Sequence, residues 1–358
     1  MTDKIKVLII DDSALVRQVL TTIIDESKNM LVVGSARDPL DAREKIKQLN
    51  PDVLTLDVEM PKMDGVTFLK NLMRLRPMPV VMISSLTEAG ADVTLEALEV
   101  GAVDFIAKPK IDVKEGLEDY AEQILEKINI AAKAKVHEYK GSGARLKAKE
   151  KLNADAVIEK KQGNIKFKTT DKIVAIGAST GGTEAIKEIL SSLPANSPGI
   201  VISQHIPATF SKAFTERVNR MSQVTVCEPC DKQKILPGHV YIAPGDRHLI
   251  VERCGADYIC RLNDGPPVSR HKPSVDVMFR SVAQNVGPNA MGVMLTGMGA
   301  DGSQGMLEMK QQGAYNISQD EESCVVWGMP GAAVKVGAVD KEFSLGKISR
   351  EIIRYCSE

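Results

Sequence analysis

Short, mostly apolar runs, each closed by an acid, a hydroxyl or a lysine and several followed by a stretch of helical period, constrain this chain most. Ile5-Lys-Val-Leu-Ile-Ile10 ends at Asp11-Asp12, and Ser13 to Ile24 then carries the period of a helix. Asp52-Val-Leu-Thr-Leu56 runs into Asp57, Val80-Val-Met-Ile83 into Ser84-Ser85, and Gly101-Ala-Val-Asp-Phe-Ile-Ala107 into Lys108-Pro109 before a helical stretch from about Gly116 to Ala134. Strands apolar on both faces need cover on both faces, and intervening helices supply it, so this region is predicted to be a parallel α/β sheet. The pattern returns at Lys172-Ile-Val-Ala-Ile-Gly177, Gly199-Ile-Val-Ile-Ser203, Val240-Tyr-Ile-Ala243 and Ala290-Met-Gly-Val-Met-Leu-Thr296. From 135 to 170 it collapses into Lys, Glu, Ala, Gly and Asn, which cannot fill a core and read as a solvated, flexible tether. The expectation is two doubly wound, mainly parallel α/β domains at 1–134 and 171–358, joined by a linker at 135–170; a length of 358 residues suits two domains.

Composition removes several function classes. Basic and acidic residues number 46 and 47, and aromatics make up 4%, so neither a phosphate-gripping surface nor a base-stacking platform is expected. The apolar run Val7-Leu-Ile-Ile10 is too short for a signal peptide core or a membrane span, which predicts a cytoplasmic protein without membrane insertion. The six cysteines, at 227, 230, 254, 260, 324 and 356, are then reduced thiols. Cys227-Glu-Pro-Cys230 raises a structural zinc, but Cys254 and Cys260 have five residues between them and no zinc-knuckle spacing emerges.

In a parallel α/β sheet, ligands gather at the carboxyl ends of the strands, which places Asp11, Asp12, Asp57, Ser84, Ser85 and Lys108 on one edge. Crowded carboxylates repel unless a hard cation bridges them, and Mg²⁺ suits oxygen ligands. A carboxylate beside such an ion can attack a phosphoryl group, with a hydroxyl and an ammonium neutralising the transferred oxygens. The plainer reading of Asp11-Asp12 is a helix N-cap. The joint set Asp11-Asp12-Ser13, Leu56-Asp57-Val-Glu-Met-Pro-Lys-Met-Asp-Gly65, Ser84 and Lys108-Pro109 resembles the receiver domain of two-component response regulators over about the first third of the chain. The resemblance implies a flavodoxin-like (βα)5 fold with Asp57 as phosphoacceptor. It implies Asp12 and Asp57 as Mg²⁺ ligands, with Asp11 nearby and the Glu59 backbone carbonyl completing the set. Ser84 becomes the phosphate-sensing hydroxyl, Lys108 its cationic partner and Phe105 the switching aromatic, although packing alone would also keep a phenylalanine there. Receivers are input modules, so the output is expected after the tether.

There, Gly177-Ala-Ser-Thr-Gly-Gly182 lacks the lysine of a phosphate loop and does not fit the dinucleotide fingerprint. Its small residues let a strand bend sharply into a helix and present Ser179 near the helix's positive end, much as in a nucleophile elbow; a plain turn is the alternative. A serine needs a base. Among His137, His205, His239, His248 and His271, only His205 closes a predicted parallel strand on the same edge; His137 lies beside the tether, and His239 and His248 flank a turn-rich segment. An acid must orient that base, and Asp301 lies in a glycine-rich loop just past another apolar strand, where an N-cap is the plainer role.

With Ile176-Gly-Ala-Ser-Thr-Gly-Gly182, Gln204-His-Ile-Pro207, Leu236-Pro-Gly-His-Val-Tyr-Ile-Ala-Pro-Gly245, Asp264-Gly-Pro, Arg270-His-Lys-Pro-Ser-Val-Asp276, Leu295-Thr-Gly-Met-Gly-Ala-Asp-Gly302 and Gly328-Met-Pro330, the second part resembles the catalytic domain of the chemotaxis protein-glutamate methylesterases. The resemblance implies Ser179 as nucleophile, His205 as base and Asp301 as its orienter, with backbone amides near Thr180 and Met298 forming an oxyanion hole. It implies hydrolysis of glutamate γ-methyl esters, with release of methanol, and deamidation of glutamines on chemoreceptor helices. It implies no cofactor for the hydrolytic step and a chemotaxis histidine kinase as phosphodonor, and a monomer is expected. The receiver is expected to cover the catalytic cleft until phosphorylation relieves it. A DNA-binding regulator, a phospho-gated scaffold with a dead site and a general serine esterase are the competing readings.

Overall fold

The computed structural model describes residues 4–60, 63–85, 87–108, 117–136 and 172–357. Most of the expected linker, His137 and Pro109 lie outside the described residues. The N-terminal half consists of β1 (Ile5–Ile10), α1 (Ala14–Asp25), β2 (Met30–Ala36), α2 (Pro39–Leu49), β3 (Val53–Asp57), α3 (Gly65–Leu75), β4 (Val80–Ser84), α4 (Glu88–Val100), β5 (Asp104–Ala107) and α5 (Leu117–Ala131). Its five strands pair parallel in the order β2-β1-β3-β4-β5. β3 and β4 are buried at every position, the two-sided burial that their apolar composition predicts. β2 was not evident in the sequence: it is a sheet edge with only Met30 and Ala36 fully buried, so its polar and glycine positions hide its register.

The C-terminal half is larger and carries two sheets. The main one comprises β6 (Ile173–Ala178), β7 (Gly199–Gln204), β8 (Thr225–Cys227), β10 (His239–Ile242), β13 (Ala290–Met294), β14 (Tyr315–Gln319) and β15 (Lys341–Phe343), all parallel, in the order β15-β14-β13-β6-β7-β10-β8. Its helices are α6 (Gly182–Ser192), α7 (Ala208–Met221), α8 (Val275–Asn285), α9 (Ser303–Gln311), α10 (Met329–Lys335) and α11 (Leu345–Ser357). A small antiparallel sheet of β9 (Gln233–Lys234), β11 (His248–Cys254) and β12 (Asp257–Asn263) lies beside it. Leu249, Val251 and Cys260 of its hairpin join Val275, Phe279 and Val282 of α8 in one apolar cluster. Among the described residues no helix is long and apolar enough to cross a membrane.

In both main sheets the chain leaves one central strand in one direction and returns on its other side. The reversals fall between β1 and β3 and between β6 and β13, where two carboxyl ends open a crevice. Another apolar cluster runs through both halves, and Phe105 of β5 meets Phe210 of α7 with ring centroids 4.4 Å apart.

Candidate functional site

The crevice of the first sheet gathers the expected acids. Oxygens of Asp11, Asp12 and Asp57 lie within 4.8 Å of one another. Asp11 and Asp57 are fully buried and Asp12 is exposed. Lys108 reaches in from the end of β5, its Nζ 2.8 Å from Asp57 and 3.5 Å from Asp11. Burial pushes Asp57 up to about 6 and raises Asp11, despite the pull of Lys108 on both. The N-cap of α1 is Ser13, which accepts from the Val16 amide, while Asp11 accepts from the Ser13 amide, so the acids are not spent on capping the helix. Ser84 Oγ faces α4, 2.7 Å from Thr94 Oγ1. Phe105 is buried.

The second crevice holds Ser179. β6 ends at Ala178, Gly181 has a left-handed φ of 76°, and α6 begins at Gly182, so the chain bends within three residues. Gly297, just past β13, passes so close that a Cβ on it would lie 2.8 Å from Ser179 Cβ, a contact only glycine permits. Gln204 Nε2 donates to the Ser179 carbonyl at 2.9 Å and braces the bend from β7.

His205 follows β7 at once, with Nδ1 3.2 Å from Ser179 Oγ and Nε2 2.8 Å from Asp301 Oδ2. If Nε2 carries the proton to the carboxylate, Nδ1 offers its lone pair to the serine. The ring edges are thus used in the opposite sense from the familiar serine-protease arrangement. Asp301 does not cap α9, whose N-cap is Gly302 without a side-chain bond. Its carboxylate instead accepts from the N-terminus of α8: Ser274 Oγ at 2.8 Å, the Val275 amide at 2.8 Å and the Asp276 amide at 3.1 Å. Burial alone would raise Asp301, but His205 and those amides hold it down at about 2, so it stays ionised. Among the described residues, no backbone carbonyl outside the regular elements accepts from the Thr180 or the Met298 amide.

Three side chains at or beside the site carry no role in the sequence reading. His271 stacks on His205 with centroids 3.7 Å apart and planes 4° from parallel, and burial, then His205, push it down to about 4. Ser274 caps α8 while holding Asp301. His248, expected beside a turn, opens β11 and is 2% exposed. The first two sit in Arg270-His-Lys-Pro-Ser274, and a histidine just before a serine N-cap was the available signal. The cysteines are all free thiols.

The receiver-like half abuts this site. Thr180, beside Ser179, donates through Oγ1 to Asp104 Oδ2 of β5 at 2.6 Å, and Lys127 of α5 holds Asp104 Oδ1 at 2.8 Å. Glu99 of α4 pairs with Lys187 of α6 at 2.7 Å and with Arg217 of α7 at 2.8 Å.

Family models match in two places, the response regulator receiver domain over residues 7–119 and the CheB methylesterase over 174–352. A protein-glutamate methylesterase/protein-glutamine glutaminase of Hydrogenovibrio crunogenus is 58% identical over 98% of this chain and 98% of its own. One from Geobacter metallireducens is 56% identical over 98% and 96%. Among solved structures, the CheB methylesterase catalytic domain of Thermotoga maritima superposes with a TM-score of 0.50 at 36% identity, covering 51% of this chain and 97% of that one. With a receiver at one end, a methylesterase domain at the other and relatives alike along the whole length, the chain belongs to the protein-glutamate methylesterase/protein-glutamine glutaminase family.

Proposed function

We propose that this chain is a receiver-controlled serine hydrolase that demethylates glutamate γ-methyl esters and deamidates glutamines on chemoreceptors. The observation that carries the chemistry is the unbroken line from Ser179 Oγ through His205 to Asp301. His205 Nδ1 takes the hydroxyl proton as Ser179 attacks the γ-carbonyl, and Asp301 steadies the imidazolium. The Thr180 and Met298 amides receive the oxyanion. The same nitrogen then protonates departing methanol, or ammonia from glutamine, and water resolves the acyl-enzyme with His205 again as base. Methanol release from methylated receptor membranes tests this, and an unimpaired Ser179→Ala enzyme would refute it.

A receiver implies phosphorylation, and the set of three close carboxylates against one lysine fits a hard divalent cation. Asp11, Asp12 and Asp57 with the Glu59 carbonyl would hold Mg²⁺, which would supply positive charge for phosphoryl oxygens; Asp57 is the acceptor of the group from a chemotaxis histidine kinase. Residues 1–134 act as receiver, 135–170 as tether and 171–358 as hydrolase. The receiver restrains the hydrolase when unphosphorylated, a reading supported by Asp104 on Thr180, Phe105 on Phe210 and Glu99 between Lys187 and Arg217. Ser84 and Lys108 respond to the phosphoryl group, and Phe105 couples that response to α7. A phosphodonor should therefore raise the esterase rate of the full chain, and equal rates with and without it would exclude restraint.

A further inference from the structure

His248 stands outside the reaction line, yet both its ring nitrogens are committed to a single loop. Nδ1 accepts from the Ser274 amide at 3.1 Å, and Nε2 donates to the Pro266 carbonyl at 3.0 Å. The two contacts pin opposite ends of the segment 266–274. Between them the chain doubles back, with Val268 and His271 exchanging both backbone hydrogen bonds at 3.0 and 2.9 Å. At the tip, Ser269 and Arg270 have left-handed φ values of 52° and 68°, which cost non-glycine residues energy and persist where surroundings hold them. This one loop carries His271, stacked on the catalytic ring, and ends at Ser274, whose hydroxyl holds Asp301.

We propose that His248 is a positioning residue for acyl transfer, fixing through the 266–274 loop both the aim of Asp301 and the plane of His205. The inference rests on the proposed acyl transfer at Ser179. A histidine merely satisfied in the core would affect stability alone. One that sets the aim of the general base affects the chemical step, because small misplacements of reacting groups cost rate far more than they cost binding.

The test is steady-state methanol release by the full chain, with phosphodonor present, for wild type, His248→Phe, His248→Gln and Ser179→Ala. His248→Phe keeps the ring's bulk and loses both hydrogen bonds. It should lower kcat between about 10- and 100-fold with little change in KM, and move the acid limb of the kcat/KM profile. His248→Gln, which can still accept and donate, should recover part of the loss, and it carries the test alone if the Phe variant does not fold. A wild-type kcat and acid limb in a folded His248→Phe, or in His248→Gln where the Phe variant does not fold, would overturn the proposal. So would equal losses in both with an unmoved pH profile, which mark a structural role. Activity in Ser179→Ala would instead strike the acyl-transfer reading, so the two failures are distinguishable.

Discussion

The two crevices of this chain are built alike and left in opposite electrostatic conditions. Each opens where a parallel sheet reverses direction, and each places an acid just beyond or at the end of a strand. In the first, burial holds Asp57 up at about 6 and raises Asp11, with the Lys108 ammonium as the cation beside them among the described residues. In the second, Asp301 is as deeply placed but is held at about 2 by His205 and the start of α8. One site is under-neutralised until a ligand arrives; the other is already complete for chemistry. The difference teaches that the receiver pocket holds a charge imbalance that a cation or a phosphoryl group would change, whereas the hydrolase set is aligned without one, which favours the proposed control by access and alignment over control by assembly.

The sharpest way to break this comparison is to delete one acceptor from each side. Ser179→Ala should abolish methanol release, a loss of roughly 10⁶-fold by analogy with serine hydrolases whose nucleophile is removed, while labelling of Asp57 by a small phosphodonor persists. Asp301→Asn should cost on the order of 10⁴-fold, because an amide cannot steady the imidazolium. Asp57→Asn should leave the basal rate intact and remove only the increase that phosphodonor produces. Were Asp57→Asn to lose basal turnover as well, the division of labour would be wrong.

A smaller effect is expected at the seam between the halves. Asp104 is 7% exposed and accepts from Thr180, Lys127 and the Phe105 amide, so replacing it by alanine removes the acceptor that ties the nucleophile's neighbour to the receiver. Basal methanol release should rise several-fold, less than the roughly 10- to 150-fold that a hydrogen bond to a charged group worth about 1.5–3 kcal/mol would allow as the sole restraint, because the other contacts persist. Phosphodonor should then add correspondingly less. An unchanged basal rate would move the restraint to Glu99 and Phe105.

The completeness of the hydrolase site also has a pH signature. His271 is held neutral, its pKa lowered to about 4 by burial and by His205, with Asp301 opposing and Lys127 of the receiver adding to the fall. Above pH 6.5 neither folded nor unfolded chain protonates it, so it contributes nothing there. As pH drops from 6.5 toward 4 the unfolded chain alone takes the proton, and stability should fall by up to about 3 kcal/mol. Denaturant unfolding at pH 7 and pH 5 measures this, and His271→Gln should flatten the slope.

Strands such as β3, β4, β6 and β7 were legible because burial on both faces leaves an apolar run, and Ser179, His205 and Asp301 because each follows such a run closely. The edge strand β2 and the hairpin β11–β12 were not. Gly34 and Ser35 in the first, and Glu252, Arg253 and Asp257 in the second, read as turn or surface when only one side is covered. The roles of His271, Ser274 and His248 depend on a loop folding back between distant strands, and Asp104 meets Thr180 across 76 positions. Local period carries no trace of such pairings.

A solvent-exposed contact between the halves offers a last, small test. Arg270, at the tip of the loop that carries His271, pairs with Glu122 of α5 at 3.1 Å, with both side chains largely in solvent. Exposed pairs of this kind contribute at most about 1 kcal/mol and are screened by salt. Glu122→Ala should therefore change basal methanol release by less than about fivefold, and by nothing measurable in high salt. A larger rise would mean that the receiver restrains the hydrolase through the 266–274 loop as well as through Thr180, since loosening Arg270 would then free His271 against His205. The buried Asp104 and the exposed Glu122 thus separate two routes to the same residues, restraint at the nucleophile's neighbour and restraint at the base.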